Sequence, residues 1–239
     1  MTMIYVVDGG RIHSLEDFWL VIGEAVDGPG PVRWSPPSGG ITAGRGRESV
    51  VSAFCQHAAV TAVHDQLPAE ATLDFLRSAF PPEGREPALG HEAIAAWEAE
   101  NRVVLPEPYR TFVAEISNGS SLGPAGDGGL QPLGRLPDSW PDLGPRWPGK
   151  PFPLRAAWHW EDDEDVDPED PRIEAAFTIG SVVLGSEDGQ SFWLLLTMGP
   201  RRGEVWMVAD VGAIPAPGQQ AWGFEEWVRR WHTGDYWWD

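Results

Sequence analysis

The chain reads as an α+β protein. Its expected centre is a mostly antiparallel sheet with flanking helices, preceded by a smaller, partly irregular N-terminal strand–helix segment. Three observations predict this. Three apolar, β-rich runs follow one another between residues 177 and 211, joined by turns too short for a crossover helix. Ahead of them, Tyr109, Phe112, Val113 and Ile116 recur at helical spacing. Behind them, Phe224, Trp227, Val228 and Trp231 do the same.

The N-terminal elements come first. Ile4-Tyr5-Val6-Val7 is a strand run and Asp8-Gly9-Gly10 a turn. Ser14 suits a helix N-cap, with Asp17 three residues on. Leu15, Phe18, Trp19, Ile22 and Val26 then share a helical face until Gly28-Pro29-Gly30-Pro31. Residues 28–49 are rich in Gly, Pro and Ser and read as a long loop. Residues 50–63 have helical character. Pro68 opens a better helix carrying Leu73, Leu76 and Phe80, closed by Pro81-Pro82-Glu83-Gly84. The expected organisation is an N-terminal segment over 1–80, a linker over 81–87 and a second unit over 88–239. Two asymmetries support the division. Only Trp19 and Trp34, of 14 tryptophans, precede residue 89. Residues 90–239 carry 11 basic and 25 acidic side chains, against 6 and 11 in residues 1–89.

In the second unit, Ile94 and Trp97 form a helical stripe from His91. Pro106 suits the first turn of the next helix, where its missing N–H needs no partner. Asn118-Gly119 suits that helix's left-handed C-terminal cap. Residues 119–153 are Gly- and Pro-rich, with Leu130–Leu133 a short edge strand. The three main strands are Phe177–Leu184, Phe192–Met198 and Glu204–Val211. The second is apolar on both faces and therefore central. On the third, Val205, Met207, Ala209 and Val211 share one face. Glu187-Asp188-Gly189 and Gly199–Gly203 supply the hairpin turns. In the closing helix, Glu225 and Glu226 lie in the first turn and Arg229 and Arg230 near the last, as the helix dipole favours. Gly234 ends it.

Composition narrows the chemistry. Seventeen Lys plus Arg face 36 Asp plus Glu, a formal charge of -19. Such a field repels nucleic acid and favours basic partners. No apolar run approaches the roughly 18 residues of a membrane helix. Residues 1–8 lack the basic segment and apolar core of a signal peptide, so a cytoplasmic location is expected. Cys55 is the single cysteine, which excludes an intramolecular disulfide and a thiolate zinc cluster. Neither a nucleophile elbow, a His-Glu-x-x-His helix nor a phosphate loop ending in Gly-Lys-Ser/Thr occurs. The chain is accordingly read as a non-enzyme without metal or cofactor.

One segment stands out as an interaction candidate. Glu161, Asp162, Asp163, Glu164, Asp165, Asp167, Glu169 and Asp170 place eight carboxylates in ten residues. Like-charge repulsion makes this an exposed loop. It reads either as a partner-binding loop or as a solvated one, and it lacks the ligand spacing of a calcium loop. Trp158 and Trp160 precede it. Strand alternation puts both on one face and His159 on the other, as interface anchors or as core.

One pattern extends over about residues 70–239. It consists of Trp97-Glu98, Leu105-Pro106, Tyr109-Arg110, Asn118-Gly119 and Gly123-Pro124, then the strand Trp193–Met198. Gly199, Gly203-Glu204-Val205-Trp206 and the tail with Phe224, Trp227 and Trp231 complete the pattern, which resembles the SUKH superfamily of Smi/Knr-like proteins. The family's frequent Gly-Cys-type turn before the central strand is replaced here by Glu187-Asp188-Gly189-Gln190. Residues 3–27, with Asp8-Gly9, Ile12, Ser14 and Leu15, resemble the start of a barstar-type domain, but that family's second helix has no counterpart. The resemblance implies an immunity protein that binds and neutralises a cognate protein toxin, often a nuclease. The alternative is a regulatory scaffold that binds a housekeeping protein.

Overall fold

The computed structural model describes residues 66–126, 128–161, 166–167, 169–216 and 222–234. The expected elements within 4–63, the barstar-like resemblance, Cys55 and Asp162–Asp165 lie outside these residues. The described part is α+β, with a four-stranded antiparallel sheet in the order β1-β2-β3-β4. The strands are β1 (Ser181–Ser186), β2 (Phe192–Leu196), β3 (Val205–Ala209) and β4 (Gly212–Pro215). Helices α1 (Glu70–Ala79), α2 (His91–Asn101), α3 (Tyr109–Glu115) and α4 (Pro171–Thr178) precede the sheet, and α5 (Phe224–Thr233) follows it.

The sheet is apolar on both sides, and this dictates the layers. Val182, Leu184, Trp193, Leu195 and Val205 face one cluster, shared with Leu76, Phe80, Phe112, Phe224 and Trp227 from α1, α3 and α5. Val183, Phe192, Leu194, Leu196, Trp206 and Val208 face a second cluster, closed by Phe152, Leu154, Trp160 and Phe177. Every residue of β2 is buried, as expected of a central strand. Each such side chain contributes about 1.5–3 kcal/mol. A bulge between Val183 and Gly185 carries Leu184 as the extra residue. Gly185 has no substitute there, since a Cβ would lie 2.4 Å from Ala125 Cβ.

Both edges of the sheet are occupied. Gln131 N–H donates to Leu184 O at 2.8 Å beside β1. Trp158 and Ala213 exchange two backbone hydrogen bonds of 2.9 Å beside β4. The Trp158–Ala213 bridge shields the β4 edge from pairing with another chain, while the β1 edge is met there by the one Gln131 hydrogen bond.

The joint between α2 and α3 is fixed by one buried carboxylate. Glu98 is 8% exposed. Its Oε1 accepts from Leu105 N–H at 2.8 Å and from Arg110 Nε at 2.8 Å, and its Oε2 accepts from Arg110 Nη2 at 3.1 Å. Glu107 accepts from Thr111 N–H at 3.0 Å and so caps the first turn of α3. Leu105, Pro106 and Tyr109 are buried around this joint, and burial pushes the Tyr109 phenol above its ordinary value.

Several expectations need correction. Phe177 belongs to helix α4 and not to the first strand, which starts at Ser181. A fourth strand, Gly212–Pro215, follows β3, so Val211 sits in the connecting turn and is exposed. Pro106 precedes α3, which begins at Tyr109. Gly119 does not cap α3, whose C-cap is Ile116. Its φ of +131° instead fits a close approach, with Leu130 O 3.0 Å from any Cβ placed there. Residues 130–133 make one bridge, Leu130 to Ser120, and no strand. The segment 81–87, expected as a linker, makes contacts with the second unit. Arg85 bridges Ser120, Glu86 N–H donates to Gly119 O at 2.9 Å, and α1 packs into the same cluster as α3 and α5.

Removing the buried carboxylate leaves the Leu105 N–H without its acceptor and the Arg110 guanidinium without its counter-charge. Glu98→Ala is expected to lower stability by about 2 kcal/mol, discounted from the usual cost of breaking a buried pair because Arg110 is partly exposed. Urea unfolding measures this; a change below about 0.5 kcal/mol would mean that the joint is held by apolar packing alone.

Candidate functional site

The second face of the sheet is covered by little regular structure. Only α4 lies among the elements closing it, and long Gly/Pro-rich segments supply the remainder. Helix α4 forms because Asp170-Pro171 is a strong start signal. The Asp170 carboxylate accepts from Arg172 N–H at 2.9 Å, and Pro171 occupies the first helical position. Ile173, Ala176 and Phe177 then share the inward face, with Ala176 and Phe177 buried.

Between α4 and the segment 139–143 the covering is incomplete and a cleft of about 620 Å³ remains. Its apolar wall includes Leu143, Ile173, Phe177 and Phe192. Its polar wall carries Glu169, Asp170, Glu174 and Asp210, with no Lys or Arg among the lining side chains. The size falls within the range of ligand-binding clefts. An apolar floor rimmed by carboxylates suits a long cationic side chain, which lays its methylenes on the floor and its charge at the rim.

Two arginines brace α4. Arg172 donates to Asp170 Oδ2 at 2.7 Å and stacks 4.3 Å from the Trp158 ring centroid. The hydrogen bonds from Arg172 hold the Asp170 carboxyl below its ordinary value. Arg146 donates to Phe177 O and to Ser181 Oγ (2.8 Å) and lies 5.0 Å from the Trp140 ring centroid. Burial lowers its pKa to about 10. It ties the end of α4 to β1.

The expected site residues are not one cluster. Glu169 and Asp170 line the cleft, and Glu161 and Asp167 are exposed nearby in sequence. Trp158 and Trp160 share a side, with ring centroids 5.3 Å apart, and His159 is exposed. Trp160 is 7% exposed and its ring N–H donates to Asp210 O, so it acts as core and not as an anchor on the surface. Trp158 is half-buried under Arg172.

The residues that carry the resemblance lie elsewhere. Glu98, Leu105, Pro106 and Tyr109 build the α2–α3 joint, and Trp97 is half-buried on α2 with its indole beside Gly134. Asn118 Oδ1 accepts from Leu133 N–H at 3.0 Å. Gly119, Gly123 and Gly203 allow close backbone approaches or a positive φ. Trp206 is fully buried and donates to Glu204 Oε2 at 3.0 Å, while Trp227 packs on Trp193. Sequence reasoning missed Leu143, Ile173, Glu174 and Asp210. The Asp170-Pro171 start with Ile173 and Phe177 four apart was a signal for half of them.

No family model matches the chain, and neither the curated proteins nor the solved structures give a significant match. Among the described residues, no helix is long and apolar enough to cross a membrane. Among them, too, no three His, Cys, Asp or Glu side chains form a metal-holding group.

The Asp170–Arg172 pair sets a pH dependence. Its carboxyl is depressed in the folded state, so its stabilisation is present above the ordinary value of 3.8 and is lost as pH falls through the folded value. Asp170→Asn keeps an N-cap but loses the charge. Its melting temperature is expected to sit slightly below that of the parent from pH 7 to 5, and to converge with it in acid. Circular dichroism melts measure the gap; a gap that persists unchanged to pH 2.5 would contradict the assignment.

Proposed function

We propose that the chain is a cytoplasmic, non-catalytic immunity protein of SUKH type that binds a cognate protein toxin and neutralises it by occlusion. The observation that carries the reading is the cleft beside α4, an apolar floor lined by four carboxylates and by no Lys or Arg, with Arg172 paired to the Asp170 carboxylate from outside the lining. It adjoins the 161–170 acidic block in sequence, on a chain of net charge -19. A toxin that handles nucleic acid presents a basic groove, and a carboxylate-rich surface fits that groove as phosphates do. Opposite fields also speed encounter, to the order of 10⁸ M⁻¹s⁻¹ at low salt. Speed serves an inhibitor that must act before its target does. A connected α2–α3 joint formed by Glu98, Leu105 and Arg110 supports the family part of the reading.

The test has two stages. Polypeptides retained by the chain from its native host are collected at low salt and released at high salt. Each is then expressed alone and together with the chain. One that arrests growth alone, and not in company, supports the proposal. If every retained polypeptide is harmless and belongs to the host's own housekeeping set, the regulatory scaffold takes its place. For the toxin so found, the triple change Glu169→Gln, Glu174→Gln and Asp210→Asn is expected to weaken binding about tenfold at low salt, and to flatten its salt dependence. Calorimetry at two ionic strengths reads both effects, and unchanged affinity would exclude the cleft.

A further inference from the structure

A second cleft, of about 550 Å³, lies next to the first. The two share Ser139 and Gly189 in their walls. Those are two of the shortest side chains available, and Gly189, at φ +83°, stands in the β1–β2 turn. That turn is rigidly set. Asp188 Oδ1 accepts from the N–H groups of Gln190 and Ser191 at 2.9 and 2.7 Å, and Ser186 Oγ accepts from Gly189 N–H at 2.8 Å. The ridge between the clefts is therefore low and fixed. The second cleft is more polar, with Ser120, Gln131 and Ser186 among its lining. Its charged lining is Glu86, Asp138 and Arg135. The lining of the two clefts holds six carboxylates and one guanidinium, and Asp170 among the six is paired with Arg172.

We infer that the two clefts form one groove, crossing the β1–β2 turn at Ser139 and Gly189, that takes an extended basic segment of a partner protein. One long cationic side chain of that segment lies over Ile173 and Phe177 and reaches Glu174 and Asp210. The main chain passes over Gly189, where no side chain obstructs it, and its polar groups meet Ser120, Gln131 and Ser186 beyond. Trp158 bridges the β4 edge and Gln131, in the wall of the second cleft, already bonds to Leu184 O on the β1 edge, so the segment binds by groove contacts and not as an added strand. This inference rests on the partner-binding reading of the α4 face and adds the form of the ligand.

Fluorescein-labelled arginine–glycine repeats of four and eight residues are the probes, read by polarisation at about 0.15 M salt, where charges more than about 8 Å apart are screened. The eight-residue peptide is expected to bind at least tenfold more tightly than the four-residue one, since it spans both clefts. Ser139→Trp, which keeps the net charge, is expected to erase that difference. Glu174→Lys is expected to weaken both peptides. Glu92→Gln with Glu100→Gln, on the exposed face of α2, alters the net charge but leaves both affinities within about twofold. Thermal melts confirm that each variant folds. The inference is overturned if Ser139→Trp leaves the length dependence intact. Equal binding of glutamate–glycine or serine–glycine repeats overturns it too, as does a control pair that matches the groove variants in effect. Growth protection by the chain involves no peptide, so it judges the immunity proposal separately from the groove.

Discussion

Both faces of β2 and β3 are apolar, and both must be kept from water. Phe192, Leu194, Trp206 and Val208 point one way; Trp193, Leu195 and Val205 point the other. A sheet of this kind folds only between two layers. One layer is conventional, with α1, α3 and α5 laying amphipathic stripes on it. The other is built mainly from segments with little regular structure, joined by the eight-residue α4. Loops cover a sheet less completely than helices do, because their backbone polar groups must stay near water or find partners. The cleft follows from that limit, and its apolar floor is the part of the second layer left open.

The two layers divide the work. The helical layer and the Glu98 joint hold one side of the fold, and the residues that carry the resemblance sit there, in β2 and β3, or at tight backbone approaches. The loop layer carries the cleft. Four carboxylates stand at the rim of an apolar floor, and two of them, Glu169 and Asp170, belong to the acidic block. Arg146 and Arg172 brace α4 from opposite ends, and the rim carboxylates of that helix inherit its rigidity.

The sequence made some of this legible and hid the rest for physical reasons. β2 was readable because five apolar residues in a row, with short turns on both sides, fit only a doubly covered strand. α5 was readable because its stripe, its charge order and Gly234 agree, and Gly234 does adopt the left-handed cap. α4 is masked in the sequence because the apolar run through Leu184 extends back to Phe177, which lies near the end of the helix begun at Asp170-Pro171. β4 is short, starts with glycine and ends with proline, both poor strand residues, and it survives at an edge through pairing with β3. Gly119 looked like a helix cap by its neighbour Asn118, but the demand on it comes from Leu130, eleven positions away. The cleft was not legible at all. Its walls come from residues 139–143, from α4, and from the turns at 189–190 and 210, brought together by sheet register and not by any spacing in the chain.

The most direct test is a hydrogen-exchange footprint of the chain bound to the growth-arresting polypeptide retained from its host. The account predicts slowed exchange over 139–143, 169–177 and 186–190, with α1, α2 and α5 unchanged. Protection confined to the α1–α2–α5 side, with the α4 face exchanging as in the free protein, would contradict it.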